Sequence, residues 1–289
     1  MLHNRRITCS VVTSLYRVAR RPYALQVAPS ISCLNCLTLF RLASRRTRHD
    51  KKAVFDDKTP ILGGVPIVFP HFADWEEKPF HGFARVCRWL VEKPPSKTEN
   101  GDVRAVLKLM DTAWTRQFWD YTFSLTLEVV LGQNHLVTDI SVHNPSPKQS
   151  FAFDLLLHTY FLLPDVTKCE ISGFKGCSYV DKTQNFQEFT QNTDVITVRK
   201  YTDNIYKDTA ETHVISNASG GKSIKLVKSN YPDTVVWNPW ADTVKNFPDL
   251  DESEYPHFFC VEAGNVAKPV LLAPGKTFKA SQVLHVIDK

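Results

Sequence analysis

No stretch of the 289-residue sequence is long and apolar enough to read as a membrane span: the nearest approach, residues 31–42, is interrupted by Ser32, Asn35, Thr38 and Arg41. The sequence also lacks a glycine-rich loop of the kind that cradles phosphates and, a lone C-x-x-C apart, shows no metal-ligand cluster. Neither a nucleotide cofactor nor a metal is therefore indicated. Cysteine occurs seven times, at Cys9, Cys33, Cys36, Cys87, Cys169, Cys177 and Cys260. An odd, scattered set gives no disulfide framework, and reduced thiols are the simple reading. Cys33 and Cys36 form a lone C-x-x-C, a weak zinc or redox signal without a second pair or nearby histidines.

Acidic residues are missing from the first 49 positions, which hold nine arginines and no lysine. The formal net charge of +5 thus belongs to the leader, and the remainder of the chain is net acidic. Nucleic-acid binding needs a basic face on the folded part, so that class is set aside. The leader composition fits an organelle presequence, although Pro22 and Pro29 interrupt any amphipathic helix, and it fits a misread first exon equally. A cytoplasmic protein is expected, or a mitochondrial one if the leader is a true presequence. The organisation expected is a leader over residues 1–49 and a single β-sandwich domain over residues 50–289.

With 43% hydrophobic and 11% aromatic residues, the chain can bury a substantial core. In residues 121–131, Phe123, Leu125, Leu127 and Val129 alternate with Thr122, Ser124, Thr126 and Glu128, the period of a strand with one buried face. Strands are also predicted over 103–110, 136–142, 150–160, 195–199, 223–227, 234–237, 258–262, 270–272 and 281–286. Short strands bounded by Gly, Pro and Asn predict an all-β sandwich. Only residues 240–247 suggest a short helix. No internal repeat is present.

Three segments carry groups suited to chemistry. On the strand Phe153-Asp154-Leu155-Leu156-Leu157-His158-Thr159-Tyr160-Phe161, parity places Asp154, Leu156, His158 and Tyr160 on one face and Phe153, Leu155, Leu157 and Phe161 on the other. A mixed polar and aromatic face suits a sugar cleft, while a histidine hydrogen-bonded at a strand end is the plainer alternative. In His81-Gly82-Phe83-Ala84-Arg85, the glycine permits close backbone approach to a ligand and the arginine offers a rigid fork for phosphate or hydroxyls. A loop held by Phe83 and Trp89 is the alternative. In Cys260-Val261-Glu262-Ala263-Gly264, Cys260 and Glu262 share a face, and a carboxylate on an apolar strand is costly unless solvated, paired or functional.

Taken in order from about residue 50 onward, several motifs resemble the glucose-6-phosphate 1-epimerase family, relatives of the aldose 1-epimerases. They are Gly63-Gly64-Val65-Pro66-Ile67-Val68-Phe69-Pro70, the His81 segment, Thr126-Leu127-Glu128, Leu157-His158-Thr159-Tyr160-Phe161, Tyr179-Val180-Asp181-Lys182, Thr202-Asp203-Asn204-Ile205-Tyr206, Val235-Val236-Trp237-Asn238-Pro239-Trp240 and the Glu262 segment. The resemblance implies a galactose-mutarotase-like β-supersandwich. It implies a monomeric isomerase that interconverts the α and β anomers of glucose 6-phosphate, with no cofactor, nucleic-acid partner or membrane partner.

Carried over position by position, the resemblance makes His158 the general acid and Glu262 the general base, with His81, Arg85 and Asp203 lining the substrate cleft and Arg85 at the 6-phosphate. The chemistry agrees: a base must take the proton of the anomeric hydroxyl while an acid protonates the ring oxygen. From reference values of about 4.3 and 6.5, Glu262 is expected to be ionised and His158 partly protonated near neutrality. Two positions depart from the family pattern: Leu62 replaces an arginine and Phe80 a glutamine. They motivate a second reading, a mutarotase for unphosphorylated sugars, and the altered leader and cleft motivate a third, a non-catalytic carbohydrate-binding module. Residues 1–49 do not read as the strands with which the family begins, and only residues 39–57 echo their end, so the expectation is a sandwich short of its first strands.

Overall fold

The structure, a computed structural model, describes residues 60, 62–219, 222–247 and 250–288. The leader, Cys9, Cys33, Cys36 and the echo over residues 39–57 lie outside the described residues.

Seventeen strands are found among the described residues. They are β1 (Ile67–Val68), β2 (Leu90–Lys97), β3 (Val103–Met110), β4 (Ser124–Leu131), β5 (His135–His143), β6 (Phe151–Leu157), β7 (Tyr160–Leu162), β8 (Glu170–Ser172) and β9 (Ser178–Asp181). After these come β10 (Gln187–Thr190), β11 (Val195–Ile196), β12 (Thr202–Tyr206), β13 (Thr212–Ser219), β14 (Lys222–Ser229), β15 (Asp233–Asn238), β16 (Phe258–Leu272) and β17 (Thr277–Ile287). An eight-stranded sheet runs β1-β6-β16-β15-β12-β9-β10, with β7 also paired to β16, and a nine-stranded sheet runs β11-β8-β13-β14-β17-β5-β4-β3-β2. All pairings between these strands are antiparallel. This is the expected all-β sandwich.

Alternation drives the assembly. In β4 and β5 every second residue is buried, and the register pairs Leu125 with Val142, Leu127 with Ile140 and Leu131 with Leu136. Their common face meets Phe151, Phe153, Leu155 and Leu157 of β6 in one apolar cluster. A second cluster joins Phe161, Val236, Phe259 and Val261 of the eight-stranded sheet to Ile171, Ile215, Ile224, Leu226 and Leu284 of the other. Each such side chain contributes about 1.5–3 kcal/mol on burial, so the two facing layers form the core.

Several expected boundaries change. The strand predicted over 150–160 is two strands, because the chain leaves the ladder at His158: its N–H donates to Pro66 O at 2.9 Å, and that of Tyr160 to Gly64 O at 2.9 Å. The segments predicted over 258–262 and 270–272 are one strand, β16, with a register irregularity between Asn265 and Val270. The strand predicted over 195–199 ends at Ile196. The expected short helix is one turn, α1 (Trp240–Thr243), followed by a 3-10 turn, Val244–Asn246. Strand β2 (Leu-Val-Glu-Lys-Pro-Pro-Ser-Lys) gives no sequence signal, since it is a mostly exposed edge whose prolines deny it an alternating pattern.

The face of the eight-stranded sheet turned away from the core carries the chemistry. Register aligns Asp203 of β12 with Trp237 of β15, Trp237 with Cys260 of β16, and Cys260 with Tyr160 of β7. One pair along, Ile205 aligns with Val235 and Val235 with Glu262.

Candidate active site

Glu262 and Cys260 stand two residues apart on β16 and so point to the same side. Phe259 and Val261, between and beside them, enter the core. His158 sits where β6 ends and β7 has yet to begin, and it reaches the same face: its ring stacks on Tyr160 at 4.8 Å and meets Trp237 edge-on at 5.9 Å. His158 Nε2 lies 3.5 Å from Glu262 Oε1. The parity of both segments is thus as the sequence implies.

Both groups are nearly sealed from solvent, His158 at 8% and Glu262 at 1% exposure. Burial pushes the Glu262 carboxyl well above its usual range, and the nearby Asp203 adds to this while Lys182 opposes it. His158 is pushed down to about 3, chiefly by burial and next by the charge of Arg85. Burial thus works against charge on both groups, whereas the reference values, which lead one to expect an ionised glutamate and a partly protonated histidine, describe solvated side chains. Desolvation of each charge outweighs a contact of 3.5 Å. Neither oxygen of Glu262, nor His158 Nδ1, has a hydrogen-bond partner among the described residues. Such a group costs about 1–3 kcal/mol while unsatisfied, and it persists where a ligand supplies the partner.

His81 forms the adjoining wall. Its Nδ1 accepts the Ala73 N–H at 2.9 Å, and the backbone N–H of His81 donates to Ala73 O at 2.9 Å. With Nδ1 an acceptor the ring is neutral and Nε2 carries the proton, in keeping with burial, above all, driving its pKa well down. The ring lies 5.5 Å from that of His158 and packs on Phe80 and Phe72. Gly82 is required for a reason other than close approach to a ligand: with φ of +72°, a Cβ there would stand 2.2 Å from Phe69 O, because Phe69 and Gly82 form a parallel bridge. Arg85 is buried and donates from Nη2 to Phe80 O at 2.7 Å, with its guanidinium 5.8 Å from the Phe80 ring centre. Phe83 and Trp89 do anchor this loop, Trp89 by donating from Nε1 to Ala84 O at 3.1 Å.

Opposite stands Asp203, whose Oδ2 accepts from Lys182 Nζ at 2.7 Å. Burial raises the Asp203 carboxyl and Lys182 counters it. Lys182 was not singled out from sequence, although it closes one of the recognised motifs; neither were Trp237 and Phe72, which line the same face. Asp154, on the shared face of β6, accepts the Phe72 N–H at 3.0 Å and fixes that loop. Leu62 is half-buried against the cluster of Trp237, Phe258 and Cys260, and Phe80 is exposed at 51%.

One grouping of potential ligand atoms is present among the described residues that sequence spacing does not reveal. His158, Cys260 and Glu262 bring their ligating atoms within 4.8 Å of one another, a grouping hidden in the sequence because the histidine and the other two come from distant strands.

A buried acid and base side by side, ringed by aromatics, a cation and a second carboxylate, can move protons to and from a polyhydroxylated ring. The sequence profile of the family described as aldose 1-epimerase matches residues 43–285. A protein of Cenchrus ciliaris named "Putative glucose-6-phosphate 1-epimerase" is 29% identical over 241 residues, covering 82% of this chain and 73% of that one. A protein of Salmonella typhimurium with the same name is 27% identical over 237 residues, covering 81% and 78%. Among solved structures, a "putative mutarotase (YeaD)" from Salmonella typhimurium superposes with a TM-score of 0.76 at 25% identity, covering 83% and 79%. A galactose mutarotase related enzyme from Lactobacillus acidophilus shares the fold, with a TM-score of 0.61 at 17% identity over 78% and 83% of the two chains.

Proposed function

This chain belongs to the aldose 1-epimerase family, and from that premise we propose that it is a hexose-6-phosphate mutarotase in which His158 and Glu262 exchange protons with the sugar. The observation that carries the reading is the buried pair at 3.5 Å whose lone pairs lack partners within the described protein. Ring opening moves one proton off the anomeric hydroxyl and one onto the ring oxygen; the bond from the anomeric carbon to the ring oxygen breaks, giving the aldehyde. Rotation about the adjoining carbon–carbon bond and reclosure reverse both transfers on the other face. The sugar begins and ends with the same protons.

A pair holding one proton suits this cycle. As the sugar enters, its anomeric hydroxyl and ring oxygen become the missing partners, and the pair shifts to carboxylate and imidazolium, Glu262 taking and His158 giving. Positioned general acid and base groups each contribute typically 10²–10⁴-fold. Arg85 meets the phosphate, His81 donates from Nε2 to a hydroxyl, and Asp203, steadied by Lys182, accepts from another. The names of the relatives support the phosphorylated substrate. Among the described residues no helix is long and apolar enough to cross a membrane; we assign a small sugar phosphate as partner, a monomer, and the cytoplasm as compartment.

The test is the mutarotation of α-glucose 6-phosphate followed by polarimetry. The protein should exceed the spontaneous rate, and His158→Asn and Glu262→Gln should each remove most of the excess; no acceleration by a folded wild-type protein overturns the reading. One observation favours an unphosphorylated substrate instead. Leu62 lies against an apolar cluster where a family arginine would stand, so free glucose and galactose belong in the same assay.

A further inference from the structure

Cys260 has no part in the proton exchange above, yet its thiol shares a pocket with both participants. The ligating atoms of His158, Cys260 and Glu262 lie within 4.8 Å of one another, and all three side chains are buried. In a tetrahedral zinc site the bonds are about 2.3 Å to sulfur and about 2.0–2.2 Å to nitrogen and oxygen, which sets neighbouring ligands roughly 3.3–3.7 Å apart. His158 Nε2 and Glu262 Oε1 already stand at 3.5 Å. The rest of the set needs to contract by about 1 Å, within reach of small side-chain rotations. Glu262 is 1% exposed and both its oxygens lack partners among the described residues, so a cation there would displace no hydrogen bond of the carboxylate.

The donor set discriminates between metals. A thiolate with an imidazole and one carboxylate suits zinc and its neighbours, whereas calcium and magnesium prefer oxygen alone. We propose that His158, Cys260 and Glu262 form a three-ligand site for a thiophilic divalent cation, zinc foremost, and that its occupancy switches the enzyme off. Binding converts the thiol to a thiolate and releases its proton, together with any proton on the carboxyl. The fourth position stays open to water. Turnover stops because the lone pairs that would meet the sugar are bound to metal. The binding half of this inference stands on the ligand geometry alone; the inhibition half rests on the mutarotase reading.

Co²⁺, whose bond to a thiolate gives a charge-transfer absorption, is the probe for the full-length chain stripped of metal with a chelator. A Cys33→Ser/Cys36→Ser background removes the competing C-x-x-C. The expected result is one Co²⁺ bound with a thiolate band, its displacement by Zn²⁺, and loss of mutarotation that rising glucose 6-phosphate relieves. Cys260→Ala should abolish the band and weaken Zn²⁺ binding by at least roughly a hundredfold, and the near-isosteric Glu262→Gln should weaken it independently. A thiolate band that survives Cys260→Ala, or Zn²⁺ affinity unchanged in both variants, overturns the site. Metal bound with the band but activity unaffected overturns the switch. A protein with no mutarotase activity leaves the spectroscopic result to decide the site by itself.

Discussion

The ammonium of Lys182 stands 2.7 Å from Asp203 Oδ2 and 5.6 Å from the centre of the Phe72 ring, so one cation ties a strand of the sheet floor to the loop that carries His81. Both partners are mostly buried. Removing the cation strands a desolvated carboxylate, which costs about 1–3 kcal/mol or more. Lys182→Met should lower the unfolding free energy by that amount in urea, and Lys182→Met/Asp203→Asn should recover part of it. A double variant no more stable than the single one would mean the pair is not coupled.

Arg85 tests substrate choice directly. A charge-assisted hydrogen bond contributes about 1.5–3 kcal/mol, so Arg85→Met should raise KM for glucose 6-phosphate roughly tenfold to a hundredfold while leaving free glucose little changed. Equal losses on both sugars would assign Arg85 to the loop, through its bond to Phe80 O, and not to phosphate.

Why some of this was visible in the sequence and some was not follows from how each feature is encoded. Alternation at Phe123, Leu125, Leu127 and Val129 marks β4 because one face is buried and the other is not. The same rule placed His158 with Tyr160 and Cys260 with Glu262, since parity survives even where the ladder is interrupted. Strands such as β12, Thr-Asp-Asn-Ile-Tyr, escape it because the face away from the core is itself lined by buried polar groups, among them Asp203. The ionisation of the pair is not legible in the sequence because reference values describe solvated groups, and desolvation is a tertiary property. The ligand trio was invisible for the same reason: spacing along the chain says nothing about partners joined only by strand pairing.

The pair's charge state predicts opposite pH trends for two variants. Glu262 has a raised pKa in the folded state, so its stabilising protonation is complete below the unfolded value of about 4.3 and is lost as pH rises toward the folded value. Glu262→Gln should therefore gain in melting temperature over wild type as pH increases from acid to alkaline. His158 is depressed to about 3, so its contribution is complete above the unfolded value of about 6.5 and is lost as pH falls toward 3. His158→Asn should resist acid better than wild type across that window. Trends of reversed sign, by thermal melts at a series of pH values, would show that the ion pair and not the neutral pair is the resting state.

Gly82 sets the position of His81 through its backbone bridge to Phe69. Its φ of +72° disfavours any side chain, and a Cβ would stand 2.2 Å from Phe69 O and 2.4 Å from the same carbonyl carbon. The left-handed conformation alone costs a non-glycine residue about 1–2 kcal/mol, and the clash forces Phe69 and the loop apart. That breaks the N–H bonds of Phe83 and Ala84 to Phe69 O, at 3.0 and 3.2 Å, and swings His81 and Arg85 away from His158. Gly82→Ala should thus lower both the melting temperature and kcat/KM. A variant with wild-type stability but reduced kcat/KM would instead place Gly82 against the sugar itself, and one with both unchanged would show that the loop tolerates the shift.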